Sequence, residues 1–298
     1  MKYNYNIEIR NETDKDEIFN KYKQTVYDHI FGEISGSFNF DLDLLVVFKE
    51  IPEDKQFINE ETYNAGTTLI EDRFAIILNI LSLEKLPDDG GLDLTISICH
   101  ELCHVYDLYL VTHNKYYSVN PLPYSQKSLK DLTISKGWLF WTEFHAYFLT
   151  YKYFNDEYSC PTFSQIVNGY EELTNQFATI QAIDDFESEE SIAKIEKFKD
   201  NIDDFIYFTA KYLAGSIFKE KKNNTDEEQV TTHDFYEQVN NICYHSTSKL
   251  IPLLRKAHGM RLTKKLYNLG KYLLTNIYEE FNFFTIKRGD SILFAYCN

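Results

Sequence analysis

Between Asp93 and Leu110 the chain encodes a helix that belongs inside a protein. Leu94, Ile98, Leu102, Val105 and Tyr109 fall on one apolar stripe at helical spacing, and Ile96, Cys99, Cys103, Tyr106 and Leu110 fall on a second. The segment is therefore apolar nearly all round. Its start is marked by the turn signal Pro87-Asp88-Asp89-Gly90-Gly91, with Asp93 as the expected N-cap. What remains is one narrow polar stripe of Ser97, His100, His104 and Asp107, with Glu101 at its margin. Burying such groups without partners costs roughly 2–7 kcal/mol each. Any fold built on this helix must surround it with other layers and give those side chains something to bind.

The flanking sequence supplies the layers. Asp41–Lys49 (DLDLLVVFK) and Arg73–Ile80 (RFAIILNI) are short apolar runs with β-branched residues and predict strands. Residues 1–112, including the interior helix, thus read as a mixed α/β lobe with a small sheet. A loop punctuated by Pro121 and Pro123 follows, from about His113 to Leu132, and a long helix is predicted from about Lys136 to Tyr153. Helical spacing recurs over Phe163–Ile183, Ser191–Lys219, Asp234–His258 and Arg261–Phe283, broken at Lys221–Asn224 and at Gly259. The tail from Phe284 to Tyr296 can return as a hairpin through Arg288-Gly289-Asp290. The expected architecture is α+β, one domain over residues 1–298 with an α/β lobe (1–112) and a mainly helical lobe (113–298).

Charge narrows the partners. A formal net charge of -16 and a pI near 4.9 argue against nucleic acid and against anionic membranes, both of which need clustered Lys and Arg. No run approaches the ~18 apolar residues of a membrane span, and the N-terminal residues lack the apolar core of a signal peptide, so the expected location is the cytoplasm. The five cysteines, Cys99, Cys103, Cys160, Cys243 and Cys297, are an odd number in a long chain and are expected to be reduced.

His100-Glu101-Leu102-Cys103-His104 fits H-E-x-x-H. Two imidazoles four residues apart share a helical face and can bind one metal, while Glu101, about 100° round the helix, can reach a water on that metal. A catalytic zinc site needs a third protein ligand and an open position. Glu143 is the best candidate, because its helical neighbours Leu139, Phe140, Ala146 and Tyr147 place its carboxylate on an apolar face where an unpaired charge is costly. The competing reading of Glu143 is an ordinary ion pair with a lysine such as Lys136. Asp107 shares the histidines' stripe, but it stands about 4.5 Å beyond His104 along the axis. From there its short side chain suits a hydrogen bond to a ligand, or a salt bridge, better than the metal itself. Cys99 and Cys103 lie roughly 60–100° from the histidines and read as small buried hydrophobes.

These residues resemble the zincin metallopeptidases, and among them the gluzincin pattern, in which a second helix supplies a Glu to the H-E-x-x-H helix. The resemblance covers roughly Arg73 to Phe148, although the Glu143-Phe144-His145-Ala146 context differs from the thermolysin-like N-E-x-x-S-D pattern. It implies a zincin-like fold with one zinc per chain, held by His100, His104 and Glu143, and with Glu101 as general base. The reaction it implies is hydrolysis of a peptide or protein substrate. An edge strand before the motif helix would hold the extended substrate, and Arg73–Ile80 occupies that place in sequence. The mechanism also calls for an oxyanion donor, for which Tyr147, His145, Tyr212, His233 and His245 are candidates. Two other readings stand beside the enzyme: a zincin-fold binding or regulatory protein without turnover, and a metal-free protein whose histidines are satisfied by hydrogen bonds.

Overall fold

The computed structural model describes residues 3–37, 40–51, 65–86, 91–113, 128–154, 159–223, 262–288 and 291–297. They form two compact units, Met1–Leu110 with Lys152–Tyr158, and Val111–Tyr151 with Ser159–Asn298.

The first unit runs β1 (Tyr5–Asn11), α1 (Asp16–Ser37), β2 (Leu42–Lys49), β3 (Ala65–Ile70), β4 (Arg73–Asn79), α2 (Ile80–Leu83) and α3 (Gly91–His113). Its sheet has the order β1-β2-β4-β3, with β1, β2 and β4 parallel and β3 antiparallel to β4. Strand alternation sends Leu42, Leu44, Val46 and Phe48 of β2, with Ile76 and Leu78 of β4, to one face. Tyr22, Val26, Ile30 and Ile34 of α1 and Leu94, Ile98, Leu102 and Val105 of α3 complete that core, so both helices cover the same side. Each fully buried aliphatic side chain there stabilises by about 1.5–3 kcal/mol. The opposite face carries Leu45, Val47 and Ala75.

The strand before α3 is a correction to the sequence reading. Arg73–Asn79 is flanked by β2 and β3 and has no open edge; Ala65–Ile70 takes the outer place. The near-continuous apolar run of β4 is the mark of a strand covered on both faces. The β3 sequence AGTTLI is half-buried throughout, short and rich in small residues, which is why it gives a weak signal. The β3–β4 turn places Glu71 (φ 53) and Asp72 (φ 60) in the left-handed region, as a two-residue hairpin requires, and Arg10 holds the Glu71 carboxylate through two bonds of 3.1 Å.

The second unit comprises α4 (Leu129–Phe154), α5 (Phe163–Gln181), α6 (Glu189–Asn223) and α7 (Leu262–Leu273), the last running on into a π-helical turn (Leu274–Tyr278) and a 3₁₀ turn (Glu279–Phe281). A hairpin of β5 (Phe283–Arg288) and β6 (Ser291–Tyr296) closes the chain, as the tail's pattern predicts. Helix α4 begins seven residues before the expected Lys136. Ser128 caps it there, its Oγ accepting from the Asp131 amide (3.1 Å) and donating to the Asp131 carboxylate (2.6 Å). Thr162 and Gln165 form a capping box at the start of α5. Helices α4 and α7 meet backbone to backbone: a Cβ added at Gly137 would lie 1.9 Å from the Leu266 carbonyl oxygen, and one at Gly270 would lie 1.6 Å from that of Thr133. The helix expected over Asp234–His258 lies outside the described residues, as do His233, His245 and Cys243. No helix among the described residues is long and apolar enough to cross a membrane.

Candidate metal centre

Helix α3 presents its polar stripe because the apolar one is committed. With Leu94, Ile98, Leu102 and Val105 fixed in the sheet core, the rotation of the helix is set. The helix starts at Gly91, so Asp93 lies in its first turn rather than at the N-cap. His100 Nε2 and His104 Nε2 converge to 3.0 Å, with the rings at 84° and their centroids 4.7 Å apart. Ligand atoms of His100, Glu101 and His104 all lie within 4.8 Å of one another, the only such group among the described residues. Glu101 and His104 are buried, at 6% and 8% exposure. Asp107, fully buried one turn further on, is not part of the group.

The Glu101 carboxylate has one hydrogen-bonding partner among the described residues. Thr67 Oγ1, on β3, lies 2.7 Å from Glu101 Oε2 and 3.0 Å from the Glu101 carbonyl oxygen. Among those residues no lysine or arginine forms an ion pair with Glu101. The site is thus a cluster of a half-buried and a buried imidazole with a buried carboxylate, and among the described residues no lysine or arginine stands against that carboxylate. Sequence reasoning missed Thr67, whose only signal is a hydroxyl residue in a weak strand.

Cys99 and Cys103 are buried thiols on the same helix. The Cys103 thiol is pushed well up, first by its hydrogen bond with Cys99, then by burial and by the nearby Asp107 and Glu101 carboxylates. A thiol held protonated is a poor metal ligand.

The remaining predicted residues belong to the second unit. Glu143 is half-buried on α4. Its charge, with those of Asp203 and Asp204, adds to burial in raising the Tyr207 phenol of α6. Tyr147, one turn later, has Lys211 over its ring at 5.7 Å. Lys136, two turns before Glu143, donates to Asp203 Oδ1 (2.7 Å) and to the Tyr278 hydroxyl (2.7 Å), while Tyr278 itself donates to Asp203. Lys199 reaches the other Asp203 oxygen at 3.2 Å. Burial pulls the Lys136 ammonium below its usual range despite Asp203. Burial alone would raise Asp203, but Lys136 and Lys199 together hold it below the ordinary carboxylate range. His145 stacks on Trp141 (5.1 Å between ring centroids), and Tyr212 is buried on α6.

No family model matches this chain, and no curated protein and no solved structure matches it.

Proposed function

We propose that this chain is a zinc-dependent peptidase of zincin type, with His100, His104 and Glu143 as metal ligands and Glu101 as general base. The observation that carries the reading is the convergence of two imidazoles and a carboxylate on one largely buried turn of α3. Two imidazoles on one helical face, joined by the Glu143 carboxylate, would make the borderline N/O donor set that zinc favours, and a divalent cation beside Glu101 would offset the cost of burying that carboxylate. For Glu143, the support is its half-buried position on α4 among the apolar neighbours Leu139, Phe140, Ala146 and Tyr147.

A zinc held by these residues would supply Lewis acidity for a peptide carbonyl and would lower the pKa of a bound water toward ~7. The protein does the rest. His100 and His104 fix the position by their shared helical face, and Glu101 takes the proton from the attacking water and returns it to the leaving amine. Strand β3 is the outer strand of the sheet among the described residues, and its residue Thr67 touches Glu101, so an extended peptide paired to its outer edge would run beside the base. This gives β3 the substrate-binding role that the resemblance implied for Arg73–Ile80.

Elemental analysis of protein purified without added metal is expected to find about one zinc per chain. Glu143→Ala is expected to weaken zinc binding by more than about 100-fold, because a bond to the metal is lost. Asp107→Ala is expected to cost about 10- to 100-fold at most, because it only loosens a ligand's orientation. Absence of zinc, with no uptake on titration, overturns the enzyme reading. Metal loss in Asp107→Ala but not in Glu143→Ala overturns the ligand assignment.

A further inference from the structure

Whether a general base works depends on where its acceptor oxygen is held, and a glutamate on a helix has three rotatable bonds with which to wander. In this protein the restraint comes from another element. Thr67 Oγ1 sits between two oxygens of one residue, 2.7 Å from Glu101 Oε2 and 3.0 Å from the Glu101 main-chain oxygen. A hydroxyl carries one proton, and the shorter of the two contacts is the one to the carboxylate. That bond occupies Oε2 and turns the carboxylate about its terminal torsion. Among the described residues Oε1 has no hydrogen-bond partner and is left as the proton acceptor.

The hydroxyl itself is firmly placed. Thr67 is β-branched and stiff at χ1. It is paired in the β3–β4 ladder with Ile76, which is fully buried in the core beneath α3. Thr67 lies on the helix-covered face of β3, since its ladder partner Ile76 belongs to that core.

We infer that Thr67 is the positioning residue for Glu101, and that the edge strand sets the geometry of the base through this one hydroxyl. The inference rests on the peptidase reading for its consequence in catalysis, and on the Thr67–Glu101 contact alone for its structural content. One strand would thereby both receive an extended substrate and orient the group that acts on it.

The test compares Thr67→Val, which keeps the shape and loses the hydroxyl, with Thr67→Ser, which keeps the hydroxyl. On a peptide library, Thr67→Val is expected to lower kcat by about 10- to 100-fold with KM and zinc content unchanged. Thr67→Ser is expected to return to within about threefold of the parent, and Thr67→Val is expected to add nothing in a Glu101→Gln background. The second readout needs no substrate: in protein labelled with ¹³C at the glutamate carboxyl carbons, the resonance missing from Glu101→Gln is expected to move in Thr67→Val and to return in Thr67→Ser. An unmoved resonance, or full kcat in Thr67→Val, overturns the inference. Failure of the parent protein to cleave any peptide overturns the peptidase reading instead, and the carboxyl resonance then decides the role of Thr67.

Discussion

Both compact units bury charged and polar side chains, but they do so in opposite ways. In the second unit Lys136 meets Asp203 and Tyr278, and Lys199 meets the other Asp203 oxygen, so each of these three charges has a counter-charge within hydrogen-bonding reach. In the first unit Glu101 and two imidazoles gather on one turn of α3, and among the described residues the Glu101 carboxylate meets a threonine hydroxyl rather than a cation. Burial costs both clusters several kcal/mol per charge before pairing. The second unit recovers that cost through ion pairs among its own side chains, whereas Glu101 forms no ion pair among the described residues. Buried polarity therefore takes two forms here, an ion-paired seam at Asp203 and a histidine–carboxylate cluster whose Glu101 has no ion pair among the described residues.

That comparison predicts a crossed pattern of mutational effects. Glu101→Gln should give the largest effect, a loss of about 10²- to 10⁴-fold in turnover of a cleavable peptide, because the amide cannot accept the proton. The melting temperature and the zinc content are expected to stay at the parent's values. Full activity in this variant would break the comparison by moving the base elsewhere, and loss of zinc would show that Glu101 holds the metal.

Lys136→Met tests the other half. Removing Lys136 leaves Asp203 with Lys199 and the Tyr278 hydroxyl alone, and is expected to cost up to about 3–5 kcal/mol in urea unfolding. The double variant Lys136→Met with Asp203→Leu should recover most of that loss. A single variant as stable as the parent would show that the seam is not a balanced pair.

The smallest effect concerns Asp204, whose carboxyl is raised from an ordinary 3.8 to about 6 by burial, and further by Asp203 and Asp200. The folded protein then binds this proton more tightly than the unfolded chain, so stability falls as pH rises through about 4 to 6. Asp204→Asn should flatten that slope in melting temperature and be slightly more stable than the parent above pH 6. Asp203 acts in the opposite sense. Held below its ordinary value, it contributes stability above pH 3.8 that is lost as the pH falls further. An unchanged slope in Asp204→Asn would assign the effect to another group.

How legible these features are in the sequence follows from the range of each interaction. The convergence of His100, Glu101 and His104 is local, because 3.6 residues per turn brings positions four apart together wherever the helix lies. The hairpin of Phe283–Arg288 and Ser291–Tyr296 is local too. The inner position of β4 is not, since an apolar run records burial on both faces and says nothing of which strand lies outside it. Thr67 reaches Glu101 across 34 residues through the register of the β3–β4 pair, which a short run of small residues does not encode. Lys136 finds Asp203 67 residues on, where helical spacing alone offers many acidic candidates.

The crossing of α4 and α7 adds a consequence for descent. A polar seam tolerates change because a partner can change with it, and an apolar core tolerates change by repacking. At Gly137 and Gly270 the neighbours are main-chain carbonyl oxygens, which no second substitution can shorten or turn aside. Drift is therefore closed at these two positions for as long as the helices cross in this way. A lineage could lose the His100-Glu101-His104 cluster and even its charged seam and still keep both glycines, so in a diverged relative the pair would stand as the signature of shared ancestry.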